Sequence, residues 1–307
     1  MTGGILVIGA AGLLGRAVLA EAERSGMAVG AVVGRASAEL PQAEVLRLSS
    51  GAVDPLVRLL NRLEPAAIVN AAGLTSGDAD ELWQANVEPA AALLEAMRVG
   101  APRARLVHLG SAAEYAEVTD GTTDEDAPLE ASTPYAAAKL AVFRLVSDAA
   151  DAGLDTVVAR VFNPIGLRMP TTSLPGRAAR LLRDAAVAGA AEIELGPLDA
   201  VRDYVDLRDI AAAVLVLASD PRSSHRVYNV GSGRATVVRD LVRMIADRTG
   251  FTGVIGESAA ASPRSPGVGR QVADIGRIRS TGWMPTVELR ESVEALVGGL
   301  DEPGSSR

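Results

Sequence analysis

Short apolar runs alternate with amphipathic stretches over the first half of the chain. ILVIG (5–9), AVGAVV (28–33), AEVLRL (43–48), AAIVN (66–70), ARLVHLG (104–110) and DTVVARVF (155–162) have the length and β-branched content of strands. Between them, helical periodicity runs from Gly12 to about Arg24, over 53–63, over 78–98 and over 134–150. Strands that are apolar on both faces and flanked by helices belong to a parallel sheet covered on both sides. The pattern predicts an α/β chain with a doubly wound parallel sheet of the Rossmann type. The second half is less regular. It predicts helices over 174–189, 208–218 and 236–249, the mixed run VRDYVDLRD (201–209), and a strand entering a loop in RVYNVGSG (226–233). SPRSPGVG (262–269) reads as a loop and DEPGSSR (301–307) as a frayed tail.

GAAGLLG joins the first strand to the first helix and spaces Gly9, Gly12 and Gly15 three apart. Each glycine has a geometric reason. Gly9 lets the chain turn sharply off the strand, Gly12 lets the backbone approach a pyrophosphate with no Cβ in the way, and Gly15 lets the helix pack close to the sheet. The N–H groups opening the helix, at Leu13 and Leu14, then meet the phosphates together with the positive end of the helix dipole. The bland alternative is a tight structural turn. About 20 residues on, an NAD-binding chain presents an acid to the adenosine ribose. Here the second strand ends VVGRAS, with no Asp or Glu and with Arg35 where a 2′-phosphate would lie. A guanidinium suits a phosphate, so NADP is expected ahead of NAD, against the alternative of a solvated surface arginine. On this reading residues 1–162 and 203–230 form the dinucleotide-binding domain. Residues 163–202 and 231–300 form a smaller, discontinuous C-terminal α/β substrate-binding region.

The totals narrow the chemistry. The chain has 307 residues, a net charge of −8 and only 3% aromatic residues, which argues against a nucleic-acid surface. There is no cysteine, and His108 and His225 are the only imidazoles, so neither a thiolate nucleophile nor a multi-histidine metal site is expected. MTGGILVIGAAGLLG lacks a basic leader, and no run approaches about 20 uninterrupted apolar residues; a cytoplasmic protein without membrane contact is expected.

STPYAAAKL sets Tyr135 and Lys139 four apart on one face of a helix. An ammonium beside a phenol stabilises the phenolate and makes tyrosine a usable general acid near neutral pH. Alone, that spacing is a common accident of a solvated helix face. LGSAAEY (109–115) likewise leaves Ser111 as either a catalytic hydroxyl or one more small residue. Order along the chain shifts the weight. The glycine loop comes first, Ser111 ends a later strand, and Tyr135 follows 24 residues after it. With NAAG (70–73), Asn86 in QANVEPA, EDAPLEASTPYAAAK and RVFNPIG (160–166), nearly the whole chain resembles the extended short-chain dehydrogenase/reductase family of NAD-dependent epimerases and dehydratases. The resemblance implies a nicotinamide dinucleotide and a nucleotide-sugar substrate. It implies that Ser111 and Tyr135 hold a substrate carbonyl oxygen, that Tyr135 donates the proton, and that Lys139 also holds the nicotinamide ribose. It places Ala71, Ala72, Gly73, Asn86 and Phe162 along the cofactor. It also implies a homodimer paired through the helices at about 83–98 and 134–150, whose alanines equally suit packing within one chain.

The same stretch bears on the reaction. Dehydratases of this family carry Thr-Asp-Glu where this chain has Ser111-Ala112-Ala113, and two methyl groups cannot eliminate water. Glu114 is one place off and is expected to point elsewhere on an extended segment. Redox chemistry remains. ELGPLDAVRDYVDLRDIAAAVLVLA (194–218), YNVGSG (228–233) and TGWMPTVELRESV (281–293) are similar to GDP-4-keto-6-deoxy-D-mannose reductases. That similarity implies that Arg202 and Arg264 contact the nucleotide diphosphate bidentately, with Asn163 on the sugar or phosphate and Ala112 beside the substrate. The alternatives are an Arg202 paired structurally with Asp203 or Asp206 and an exposed loop Arg264. Ser49–Ser50, Ala116 and the segment 167–180 depart from the family pattern at the adenine contact, the substrate floor and the sugar pocket. The expectation is NAD(P)H-dependent reduction of a nucleotide-linked 4-keto-6-deoxy sugar at C4. A nucleotide-sugar 4-epimerase with tightly held NAD and a non-catalytic dinucleotide-binding regulator are the alternatives.

Overall fold

The computed structural model describes residues 3–220, 225–257 and 268–301. Its centre is a seven-stranded parallel sheet. In chain order its first strands are β1 (Ile5–Ile8), β2 (Val29–Val33), β3 (Glu44–Val45), β4 (Ala67–Asn70), β5 (Arg105–Ser111) and β6 (Thr156–Val161), and Val227–Val230 completes it. The spatial order is Val227–Val230, β6, β5, β4, β1, β2, β3. The order therefore reverses at β1, which pairs with β2 on one side and β4 on the other. Alternation along β1 explains why it is apolar throughout. Ile5 and Val7 face the layer of α1 (Leu13–Arg24) and α6 (Leu207–Ser219), while Leu6 and Ile8 face α2 (Val53–Leu63), α3 (Ala79–Gly100) and α4 (Pro134–Asp151).

Local chemistry starts these helices. Asp78 and Glu81 form a reciprocal capping box on α3, with the Glu81 amide donating to Asp78 Oδ1 at 2.8 Å. Thr133 caps α4 and Pro134 occupies its first turn. α1 and α2 start without a side-chain cap, α2 after Ala52 and α1 at the mouth of the glycine loop. The α1 N-cap is Gly12, with no side chain to satisfy the first-turn N–H groups.

Three predicted elements differ in the structure. The strand expected over 43–48 is only Glu44–Val45, because its sole partner β2 ends at Val33, opposite Val45. The run 201–209 divides at Asp203. Val201–Arg202 pairs with Thr236–Val237 and Arg270–Gln271, whereas Tyr204–Asp206 pairs with Asn163–Ile165. The helix expected from 236 begins at Val238 as α7 (Val238–Thr249), since Thr236–Val237 is drawn into that ribbon.

The smaller layer packs α5 (Leu174–Ala188), α7 and the helix Leu289–Gly298 together, beside the parallel pair Glu192–Leu195 and Val254–Glu257. It is fastened to α6 by Asp209 and by the N-cap Asp206, which accepts from the Ser292 hydroxyl at 2.6 Å. Asp209 accepts from the Thr286 amide, the Thr286 hydroxyl and the Val287 amide, each at 3.0 Å, and Trp283 Nε1 donates to the Asp209 carbonyl at 3.2 Å. No helix of the described residues is long and apolar enough to cross a membrane. Replacing Asp209 by alanine strands the Thr286 and Val287 donors, leaves the Trp283 bond to the main-chain carbonyl, and is expected to cost about 2–3 kcal/mol, read as a lower urea midpoint with an unchanged slope.

Candidate active site

The carboxyl ends of β1, β2 and β4 open onto a groove of about 560 Å³, at the point where the strand order reverses. Gly9, Gly12, Arg35, Arg47, Ala72 and Gly73 line it. Gly9 has φ +79°, and a Cβ on it would lie 2.5 Å from the Ala72 nitrogen; a Cβ on Gly15 would lie 2.3 Å from the Gly9 oxygen. Those two glycines serve the packing of the chain itself. Gly12 differs. It is exposed, and a Cβ there would meet only the Gly9 oxygen, at 3.2 Å. The uncapped start of α1, with half-buried Leu13 and Leu14 in its first turn, thus stands beside an open backbone cradle. A pyrophosphate fits that arrangement of donors and space.

The far wall is the loop after β4. Ala71 donates to the Ile8 carbonyl, and Ala72 donates to Asn70 Oδ1 at 3.2 Å. Asn86 stands behind this wall. It is buried, its Nδ2 donates to the carbonyls of Leu74 and Leu82, and a Cβ on Gly73 would lie 2.3 Å from its Oδ1. Phe162 is 2% exposed and packs with Ala112, Tyr115 and Ala273, so any contact it makes with a cofactor falls to its backbone. At the opposite end, Arg35 and Arg47 both line the groove, both are exposed, and neither has an ion pair or hydrogen bond among the described residues. Arg47 escaped the sequence reading. The signal was its place two residues past the last β2 pairing, which brings it beside the turn that carries Arg35.

Ser111 ends β5. The segment after it was expected to be extended, but Ala112–Glu114 is a turn of 3₁₀ helix capped at both ends. Ser111 Oγ accepts from the Ala113 amide at 3.2 Å, and Glu114 Oε1 accepts from the Ser111 amide at 2.7 Å. Glu114 does point away from the groove, as expected, but because the chain turns. Its other oxygen accepts from Arg160 Nε at 2.7 Å, in an ion pair with 1% and 0% exposure. Burial pushes the Glu114 carboxyl up from its ordinary range, against the pull of Arg160.

α4 packs against β5 and this turn. Lys139 is buried and donates from Nζ to the Leu109 carbonyl at 2.9 Å, two residues before Ser111. Tyr135, one turn earlier, is half-buried. The neighbouring phenol, Tyr115, is spent: it is buried, donates to Asn229 Oδ1 at 2.6 Å, and burial pushes it up to about 12. Burial, followed by the Lys139 charge, holds the His108 imidazole well below its ordinary value, so it stands neutral with Nδ1 3.2 Å from Asn70 Nδ2. Tyr135 is therefore the phenol left with access, beside a lysine.

Arg202 pairs across its ribbon with Gln271, whose side chain reaches the Ala112 carbonyl. It is 9% exposed, donates to the Val201 carbonyl at 3.0 Å and the Val268 carbonyl at 2.8 Å, and has no carboxylate within ion-pair distance among the described residues. The structural pairing with Asp203 or Asp206 is not formed. Asp203 accepts from Ser232, Gly233 and Ala273, and Asp206 accepts from Arg208 and Ser292. Burial alone heads the causes that lower the Arg202 pKa. Asn163 donates from Nδ2 to the Asp203 carbonyl at 3.0 Å, and Ala112, buried, accepts from Gln271 Nε2 at 3.0 Å. Arg264 lies outside the described residues.

The model of the NAD dependent epimerase/dehydratase family matches residues 5–231. The chain belongs to this family. It is 38% identical over 299 residues to dTDP-6-deoxy-L-talose 4-dehydrogenase (NAD(P)(+)) of Kitasatospora kifunensis, covering 95% of this chain and 94% of that protein. It is 32% identical over 219 residues to UDP-glucose 4-epimerase of Streptomyces lividans, covering 67% of this chain and 65% of that protein. Among solved structures, MoeE5 in complex with UDP-glucuronic acid and NAD superposes with a TM-score of 0.82 at 27% identity, covering 97% of this chain and 98% of that one. The family and its solved neighbours support a nicotinamide dinucleotide as the cofactor. Gly9→Ala, which forces a Cβ against the Ala72 backbone, is expected to destabilise the fold by about 1–3 kcal/mol and to weaken NADPH binding at least about tenfold by fluorescence titration.

Proposed function

We propose that the protein reduces a nucleotide-linked 4-keto-6-deoxy sugar at C4, with NADPH preferred over NADH. The observation that carries this is the content of the Ser111 turn. Elimination of water needs an acid and a base beside the sugar. The turn offers Ala112 and Ala113, and its one acid, Glu114, is committed to the Ser111 amide and Arg160. A hydroxyl, an accessible phenol and a lysine are what this site presents, and they suit reduction of a carbonyl.

A bound nicotinamide dinucleotide supplies the hydride. The start of α1 with Gly12 would hold its pyrophosphate, and Arg35 with Arg47 the 2′-phosphate, a group for which two unpaired guanidiniums are the matching chemistry. Lys139 would hold the nicotinamide ribose. Ser111 would donate to the sugar carbonyl oxygen and Tyr135 would deliver the proton to it. Arg202, a buried cation with only carbonyl partners, would take the substrate diphosphate together with Arg264 and Asn163. The talose 4-dehydrogenase, similar over the whole length, supports redox chemistry at C4 of a 6-deoxy sugar and puts thymidine-linked sugars ahead of the guanosine-linked ones that the sequence resemblance suggested. A homodimer through the outer faces of α3 and α4 accompanies this reading.

A 4-epimerase would use the same three groups but regenerate its cofactor in place. The pair Arg35 and Arg47, in a groove whose lining carries no acid, favours an exchangeable NADP. The deciding experiment mixes the protein with NADPH or NADH and a panel of dTDP- and GDP-linked 4-keto-6-deoxy sugars, following loss of reduced-nicotinamide absorbance. Stoichiometric oxidation with one sugar establishes the reductase. Absence of oxidation across the panel overturns the reductase, and tightly bound NAD together with epimerisation of a fully hydroxylated nucleotide sugar establishes the epimerase instead. Tyr135→Phe is expected to lower kcat by about 10²–10⁴-fold with NADPH affinity retained, which a purely regulatory dinucleotide binder would not show. Arg47→Ala is expected to raise KM for NADPH about tenfold or more and to leave KM for NADH unchanged.

A further inference from the structure

We propose that Glu114 is the positioning residue for Ser111, holding the serine turn in register through a buried chain of contacts anchored on Arg160. The proposal rests on the reading of Ser111 as the hydroxyl that holds the substrate carbonyl.

The stretch Gly110 to Tyr115 is built around this carboxylate. A Cβ on Gly110 would lie 2.8 Å from Glu114 Oε1 and 2.8 Å from Val158 Cγ1, so the residue before Ser111 must be small for the carboxylate to reach back. Glu114 Oε1 then takes the Ser111 amide at 2.7 Å, and Ser111 Oγ takes the Ala113 amide at 3.2 Å. The hydroxyl accepts one bond from the chain and keeps its own hydrogen to donate. Its backbone and its side chain are thereby fixed together.

Glu114 is fixed in turn. Its Oε2 takes Arg160 Nε at 2.7 Å. The Arg160 guanidinium lies between two rings, 4.6 Å from the centroid of Tyr115 and 4.4 Å from that of Phe143. Tyr115 is pinned by the Asn229 side chain, whose Nδ2 donates to the Thr123 carbonyl at 2.8 Å while the Asn229 backbone N–H donates to Glu125 Oε1 at 2.8 Å. The orientation of Ser111 is thus set from β6 and Val227–Val230, two strands beyond its own along the sheet.

Stability does not explain the pair. A buried ion pair is commonly replaced by apolar side chains without loss, because desolvation offsets its attraction. What apolar side chains cannot supply is an acceptor for the Ser111 amide. That difference makes the test. In E114L/R160M both charges and the acceptor are removed; in E114Q/R160M the charges are removed and an amide oxygen remains for Ser111.

Each variant is compared with the wild type by amide hydrogen exchange of the peptide spanning 110–115, by thermal midpoint, and by kcat and KM in the NADPH-dependent reduction. E114L/R160M is expected to exchange faster in this peptide and to lose kcat by about ten- to a hundredfold, with KM for the sugar within about threefold of wild type and a similar midpoint. E114Q/R160M is expected to restore exchange protection and most of kcat. Unchanged exchange in E114L/R160M, or equal loss of kcat in both variants, overturns the proposal. If E114L/R160M does not fold, E114Q/R160M against wild type decides: normal exchange and turnover support the acceptor role, and loss of either overturns it. A wild type that reduces no sugar removes the reading of Ser111 but leaves the exchange comparison to show whether Glu114 holds the turn.

Discussion

The architecture depends on a close backbone approach at Gly9. There the end of β1, the loop after β4 and the first turn of α1 come within a distance that admits no side chain on Gly9 or Gly15. This contact sets the height at which α1 starts above the sheet and the line along which the loop at Ala71–Gly73 runs. The groove is the space that those two settings leave open. Every group assigned to the cofactor is placed relative to it.

Around this point the chain divides its polar groups by accessibility. Arg35 and Arg47 are exposed and have no ion pair or hydrogen bond among the described residues. Glu114, Arg160, Asp203 and Asp209 are buried, and each is committed to several partners that tie distant segments together. Asp203 alone joins the start of the Tyr204–Asp206 strand to the turn at Ser232–Gly233 and to Ala273. The substrate-side elements are thus docked by carboxylates receiving backbone N–H groups, a mode that fixes geometry more than it adds stability.

Much of this was legible in the sequence because it follows from local periodicity. Strands buried on both faces read as unbroken Val/Ile/Leu runs, and the glycine spacing reports a contact made within seven residues. What escaped depends on partners far along the chain. The third strand is short because β2 ends early, and that same shortfall releases Arg47 to the groove. The run 201–209 divides because Asp203 answers to residues 29–70 positions away. Glu114 was placed on an extended segment because its turn is secured by Arg160, 46 residues later. Asn86, placed along the cofactor by resemblance, also supports the groove wall through the Leu74 carbonyl, a contact that no motif encodes.

Arg202 has one further consequence. Its guanidinium is removed from water, and its hydrogen bonds among the described residues go to carbonyl oxygens, with the Glu117 carboxylate acting on it only beyond ion-pair distance. A nucleotide diphosphate seated there would complete an ionic pair that the polypeptide leaves half made. On the proposed reading, ligand binding and folding would be thermodynamically linked: the anion would serve as a removable piece of the interior, and this region would be firmest when it is engaged.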